Sequence, residues 1–312
     1  MSEEKISYSQ MRRDFYEKYR KKILPFVQKF EKERKKNLYF AIFFRTFCII
    51  LSLIMCALGC YLNFTATIDC SSFFGTIISI LFILAWLSWY AIKKNFENKI
   101  KQNIMPIVSS CFPKLRWSKG FFNGANLFLA SYIISEFKKE VYDDYFEGVF
   151  NDVTFEIIEA KYVMKSSTDF DGVIIKLDMN KSFQAHTIVV TDTLFKDKFT
   201  YQGLRRTTLE DIEFEKKFNV YTNDEVEARY LLTPSFTERL KDMKIAFKAC
   251  SVSCVFYNNY LIIALPTNND IFSLCSLTKP LDDAKQYFQM FEEILSIIKL
   301  IDHFELDQKI GL

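Results

Sequence analysis

Histidine, glycine and proline are scarce in this chain: its 312 residues include 2 His, 8 Gly and 6 Pro. The two histidines, His186 and His303, have no candidate Ser or Cys nucleophile beside them, and no Gly-x-Ser-x-Gly elbow is present, so nucleophilic catalysis has little to work with. The few glycines are scattered, which leaves no phosphate-cradling Gly-rich loop and argues against a nucleotide fingerprint. No Gly-, Pro- or Ser-rich linker and no internal repeat divides the chain. Cys250 and Cys254 would share one side of a strand, but a cysteine pair without further ligands is a weak zinc signal. In a reducing cytoplasm these thiols stay free. Nothing calls for a cofactor.

Charge is what is missing next. Between Arg45 and Lys93 lie 47 residues with one charged member, Asp69, which separates two uncharged runs, 46–68 and 70–92, of 23 residues each. Either run is long enough to cross a bilayer. A buried hairpin of a soluble protein is the competing reading, yet soluble core helices are rarely apolar all round for this length. A signal peptide is disfavoured by the 37 preceding residues, 18 of them charged. The first apolar stretch begins at Leu38, which places Arg45 about two turns inside the helix, snorkelling toward headgroups. Trp86, Trp89, Lys93 and Lys94 anchor the end of the second span.

Basic residues crowd both flanks, Lys29 to Lys36 and Lys93 to Lys101, while the connection 63–72 has no positive charge. The positive-inside rule then expects a multi-pass protein of the plasma (inner) membrane with both termini cytoplasmic. The sequon at Asn63 hugs the membrane and carries little weight. Cys48, Ser52, Cys56 and Cys60 recur every four residues, as do Gly75 and Ser79 on the second span. Small-residue stripes let helices approach closely, within the hairpin or in a homo-oligomer.

Met11, Phe15, Tyr19, Ile23, Phe26 and Phe30 form an apolar stripe before the first span, and Ile92, Phe96, Ile100 and Ile104 one after the second. Both spans therefore continue as helices, either paired as a stalk or, for the first, lying on the membrane surface. Pro25 and Pro106 are expected to kink or end them. Position beside a span accounts for the basic charge, so no nucleic acid is implied.

Residues 1–119 carry 20 Lys and Arg against 8 Asp and Glu, whereas residues 120–312 carry 21 against 30. The organisation expected is a basic amphipathic juxtamembrane helix (1–37), a two-helix transmembrane hairpin (38–92), a basic juxtamembrane helix (93–119) and an acidic cytoplasmic domain (120–312). In that domain VTFEIIEAKYVM, GVIIKLDM and HTIVVTDT read as strands. SVSCVFY and YLIIALP form a hairpin about Asn258-Asn259, where Asn tolerates positive φ. Asp224 caps a helix through EVEARYLL, and Thr233-Pro234 starts another. A long last helix, about 281–304, buries Ala284, Phe288, Phe291, Leu295, Ile298 and Ile301. The fold class is α+β: an N-terminal transmembrane helical hairpin with helical cytoplasmic extensions, then a domain of mainly antiparallel strands with a long C-terminal helix.

The segment FEKKFNVYTNDEVEARYLLTPSFTERL (214–240) resembles the central motif of an uncharacterised bacterial family of two-span membrane proteins, domain-of-unknown-function family 3137. FYEKYRKKILPFVQKFEKERKK before the first span, YDDYFEG (142–148) and DFDGVIIKLDMNKSF (169–183) are similar to the same pattern. The resemblance implies a membrane anchor with a cytoplasmic domain and brings no established activity or cofactor.

Candidate binding residues are Asp143, Asp144, Glu147, Glu210, Asp211, Asp224 and Glu227, joined by Glu225, whose carboxylates would hold a divalent cation if their clusters met in space. The plainer reading makes Asp224 a helix cap and pairs Glu225 with Arg229 four residues on. Arg229 is itself a candidate for gripping a carboxylate or phosphate. The expected function is a membrane-anchored cytoplasmic binding or scaffold module, non-enzymatic, with a protein partner at the cytoplasmic face and the bilayer as its other partner. The alternatives are a metal-dependent membrane-bound hydrolase or transferase using the acidic clusters, and an accessory subunit of a membrane complex.

Overall fold

A computed structural model describes residues 7–65, 71–120, 122–165, 168–179, 182–191, 203–209, 212–267, 270–274 and 276–309. It divides into two compact units, one drawn from residues 1–15, 108–272 and 285–312, the other from residues 16–107 and 273–284.

The helical unit takes in the end of α1 (Tyr8–Lys18), a π-turn (Tyr19–Ile23), α2 (Leu24–Thr65) and nearly all of α3 (Ser71–Ser109). Pro25, where a kink or an end was expected, does not end its helix. The π-turn directly before it widens the ladder, with the Leu24 N–H reaching the Tyr19 carbonyl, and so absorbs the missing proline donor. The turn also shifts the buried face. Met11, Phe15, Tyr19 and Ile23 are buried as expected, but Val27 follows them and Phe26 turns outward to half exposure. Five burials spaced by four overrun a 3.6-residue period, and the wide turn takes up the excess. Pro106 likewise lies inside α3, which runs three residues further.

Along α2 the buried small residues are Ala41, Cys48, Ser52 and Gly59, while Cys56 and Cys60 are exposed. The expected four-residue stripe therefore splits, because a helix in contact over many turns repeats at seven residues rather than four. Gly59 packs closely where it stands: a Cβ there would come within 3.0 Å of the Phe74 ring, which would have to shift. Gly75 and Ser79 are exposed. Nearer the chain start, Lys99 bonds Glu33 at 2.7 Å and lies over the Phe30 ring, so the two helical extensions pair. Arg34, one of the flanking cations, is buried in an ion pair with Glu31 at 2.7 Å, donates to the Leu277 carbonyl, and thereby holds the 273–284 segment.

The second unit is an antiparallel sheet. Its strands are β1 (Arg116–Lys119), β2 (Phe137–Phe150), β3 (Val153–Met164), β4 (Phe170–Asp178), β5 (Thr187–Thr191), β6 (Arg205–Thr207), β7 (Phe218–Thr222), β8 (Ser253–Tyr257) and β9 (Tyr260–Pro266). Their order is β1-β2-β3-β4-β9-β8-β5-β7-β6. Asn258 turns the β8–β9 hairpin at φ 56°, as its sequence suggests. Alternate residues define two buried faces. Ile158, Ile174, Ile188, Val255 and Ile262 pack with Phe128 of the short helix α4 (Ala125–Ala130). On the opposite face Phe256 meets Phe236 of α7 (Pro234–Ala246), whose N-cap is Thr233. Helices α5 (Ile212–Glu215) and α6 (Glu225–Leu231) flank β7. Cys254 is buried in β8, but Cys250 lies before the strand and is exposed, so the two do not form the one-sided pair expected.

The last helix, α8 (Ala284–Lys309), is buried over a wider arc than the single stripe expected. The added cover is α1: Phe15 stacks on Phe291 at 4.5 Å and meets Phe288 edge-on, while Arg12 forms a two-bond ion pair with Glu292. Phe15 is thus spent on α8 and does not face a lipid surface.

Within α8, Glu293 is 1% exposed, and burial pushes its carboxyl up to about 7 despite a hydrogen bond from Gln289. The folded state therefore keeps its proton where the unfolded chain has lost it. Stability falls as pH rises from about 4.5 to 7, by about 3 kcal/mol in total, and is flat above. Glu293→Gln is expected to raise the melting temperature at pH 8 and leave it unchanged at pH 4.5. An equal change at both pH values would contradict this account.

Candidate functional site

The acidic convergence in the sheet unit is built by a β-bulge. Tyr142 pairs with Ala160 and Tyr145 with Ile158, which leaves Asp143 and Asp144 both opposite the single residue Glu159. A bulge adds one residue to one strand and re-aims its side chains. Asp144 is fully buried and accepts a 2.7 Å hydrogen bond from Trp117 Nε1 on β1. The Gly120 N–H donates to the Asp143 carbonyl at 2.5 Å, and a Cβ on Gly120 would sit 2.7 Å from that oxygen, so only glycine allows the chain to pass this close. Glu159 is 6% exposed and accepts from the Ile271 N–H at 2.8 Å, which brings Asp270 alongside.

One carboxylate oxygen from each of Asp143, Asp144, Glu159 and Asp270 lies within 4.8 Å of the others. The set has the donor chemistry of a hard divalent cation.

Of the expected site residues, only Asp143 and Asp144 enter this cluster. Glu147, further along β2, faces Glu156 in register and lies 3.5 Å from the Tyr145 hydroxyl. Glu210 and Asp211 lie outside the described residues. Asp224 caps α6, accepting from the Val226 and Glu227 N–H groups at 2.9 and 3.1 Å. Glu227 accepts from the Gln184 and Ala185 N–H groups and so ties α6 to the entry of β5. Arg229 pairs loosely with Glu225 at 3.9 Å. His186 serves the fold: its Nε2 donates to the Ser131 carbonyl at 3.0 Å, its ring stacks on Tyr132, and burial lowers its pKa.

Two members of the cluster escaped sequence reasoning. Glu159 had a signal, an acid inside the apolar run IIEA of a strand buried on both faces. Asp270 had none, because only the loop after β9 brings it near.

Residues 168–306 match the family described as Protein of unknown function (DUF3137). The DUF3137 region runs from just before β4 into α8 and includes Asp270 of the cluster, while Asp143, Asp144 and Glu159 precede it. It takes in the motif at 214–240 and DFDGVIIKLDMNKSF, but not the other two segments that resembled the family. A comparison with curated proteins finds no match. Among solved structures, the crystal structure of the mycobacterial trehalose monomycolate transport factor A, TtfA, is 9% identical, covers 60% of this chain and 86% of that chain, and gives a TM-score of 0.36. A likeness of that size carries no argument.

Replacing Trp117 by Phe keeps an aromatic ring on β1 but removes a donor from a buried carboxylate. Trp117→Phe is expected to destabilise the sheet unit by about 1–3 kcal/mol, read as a lower denaturation midpoint; wild-type stability would exclude the hydrogen bond as a support of Asp144.

Proposed function

We propose that the chain is a membrane-anchored binding or scaffold module of the plasma (inner) membrane, held by a two-helix hairpin within residues 38–92 with its sheet unit on the cytoplasmic side. One observation carries this. The two helices are long and apolar enough to cross a membrane, and their most apolar windows are only 17% and 6% buried. A core helix of a soluble protein would be mostly covered. Here Tyr39, Phe43, Leu53, Phe82 and Trp86 stand open, and an apolar surface this extensive needs an apolar environment. Arg45, Lys93 and Lys94 are exposed at the limits of the uncharged runs, where headgroups would receive them. Lys94 also lies over the ring of Tyr90, an amphipathic pair suited to an interface.

The module reading commits to no reaction. The competing hydrolase or transferase needed the acidic segments to meet, and among the described residues Asp224, Glu225 and Glu227 support α6 and its surroundings instead. A protein partner is favoured by the domain's excess of nine acidic residues, which repels it from anionic lipid and leaves its surface to the cytosol. Tethering would act by raising local concentration.

Alkaline carbonate washing is expected to leave the protein in the membrane pellet. In intact cells a membrane-impermeant maleimide should label a variant retaining only Cys70, in the connecting segment, and spare one retaining only Cys250 until lysis. Release by carbonate or the reverse labelling pattern would sink the anchor or its orientation.

A further inference from the structure

Residues 120–312 carry an excess of acid, yet five lysines line one concavity on their surface: Lys216, Lys217, Lys241, Lys244 and Lys248, around a volume of about 770 Å³. Local structure gathers them. Lys241, Lys244 and Ile245 are at i, i+3 and i+4 on α7 and so share a face. Lys248 follows the end of that helix with φ 49°. Lys216 and Lys217 occupy the turn between α5 and β7, closed by the Lys217 N–H on the Phe214 carbonyl. The buried floor includes Phe218 and its register partner Thr191, the last residue of β5.

The neutralisation around these lysines is incomplete. Glu213 pairs with Lys216 at 2.7 Å, and the Gln289 side chain accepts from Lys248 at 2.5 Å. Lys217, Lys241 and Lys244 have no carboxylate partner among the described residues. Lysines in a last helical turn can simply complement the helix dipole and stay solvated, but Lys241 and Lys244 are only half-exposed. Thr191, 7% exposed, belongs to the buried floor of the same concavity.

We propose that this concavity binds a phosphate-bearing ligand. Ammonium groups attract phosphate as mobile point charges. Ile245, 74% exposed at the same concavity, offers an apolar contact for the organic part of a phosphate ester. The same chemistry is met by the headgroup of an anionic phospholipid and by a soluble polyphosphate. This assignment is independent of the membrane reading.

The test is calorimetric titration of the full-length protein in a neutral detergent with inorganic tripolyphosphate and with dihexanoyl-phosphatidic acid, using dihexanoyl-phosphatidylcholine as control. At least one anionic probe should bind, more weakly as salt is raised, and the control should not. Binding of tripolyphosphate alone assigns a soluble polyphosphate, and binding of phosphatidic acid alone assigns a lipid headgroup. Joint replacement Lys241→Gln with Lys244→Gln should weaken binding by about tenfold or more. The proposal is overturned if neither anion binds at millimolar concentration, or if the double variant binds as the parent does.

Discussion

Pairing between β4 and β9, from Gly172 opposite Pro266 to Asp178 opposite Tyr260, runs through the middle of the sheet. Val173, Ile174, Ile175 and Leu177 on one strand and Leu261, Ile262, Ile263 and Leu265 on the other are completely buried. In a place without water each backbone N–H and C=O must find its partner in the ladder, because an unpaired group costs as much as several ordinary contacts contribute. The approach at Gly172 is so close that a Cβ would lie 2.2 Å from the Leu265 carbonyl oxygen. Register is therefore pinned at one end by glycine and at the other by the Asn258 turn, and a one-residue slip would send every buried side chain to the wrong face.

Chemistry sits away from this centre, where the ladder is allowed to be irregular. The bulge on β2 sets two aspartates against one glutamate near one edge of the sheet, and the lysine concavity forms where β5 and β7 end toward the other. The two collections have opposite charge and different architecture. The acids are brought together by backbone pairing and are partly buried with defined donors, whereas the lysines come from a helix face and a turn. An ordered middle supports both, since neither a bulge nor a terminal threonine could keep its geometry on a sheet whose register slid.

The helical unit follows another constraint. Its α2 and α3 touch through a few small or spaced residues and leave most of their apolar surface open. The polar contacts that do order this unit, Arg34 with Glu31 and Leu277 and Lys99 with Glu33, lie outside the uncharged runs.

Particular elements show what could be read without coordinates. Strand β3 was legible over its whole length from its β-branched and aromatic residues, and the Asn258 hairpin and the caps at Asp224 and Thr233 followed from local chemistry. Strand β2 was missed because FKKEVYDDYFEGVF is mostly exposed in its first half and bulged in the middle, so no alternation survives. Phe26 was misplaced by a π-turn that a fixed helical period cannot foresee. By itself the sequence determined the α+β class, the two long apolar helices and the unequal division of charge, since these depend on composition and on spacing within one element. Only the tertiary structure decided that Glu159 and Asp270 join Asp143 and Asp144, that five lysines share one concavity with Thr191, and that α1 covers α8. Those depend on which segments pair across the sheet, and long-range pairing is selected by the burial of the whole chain rather than by any local stretch of it.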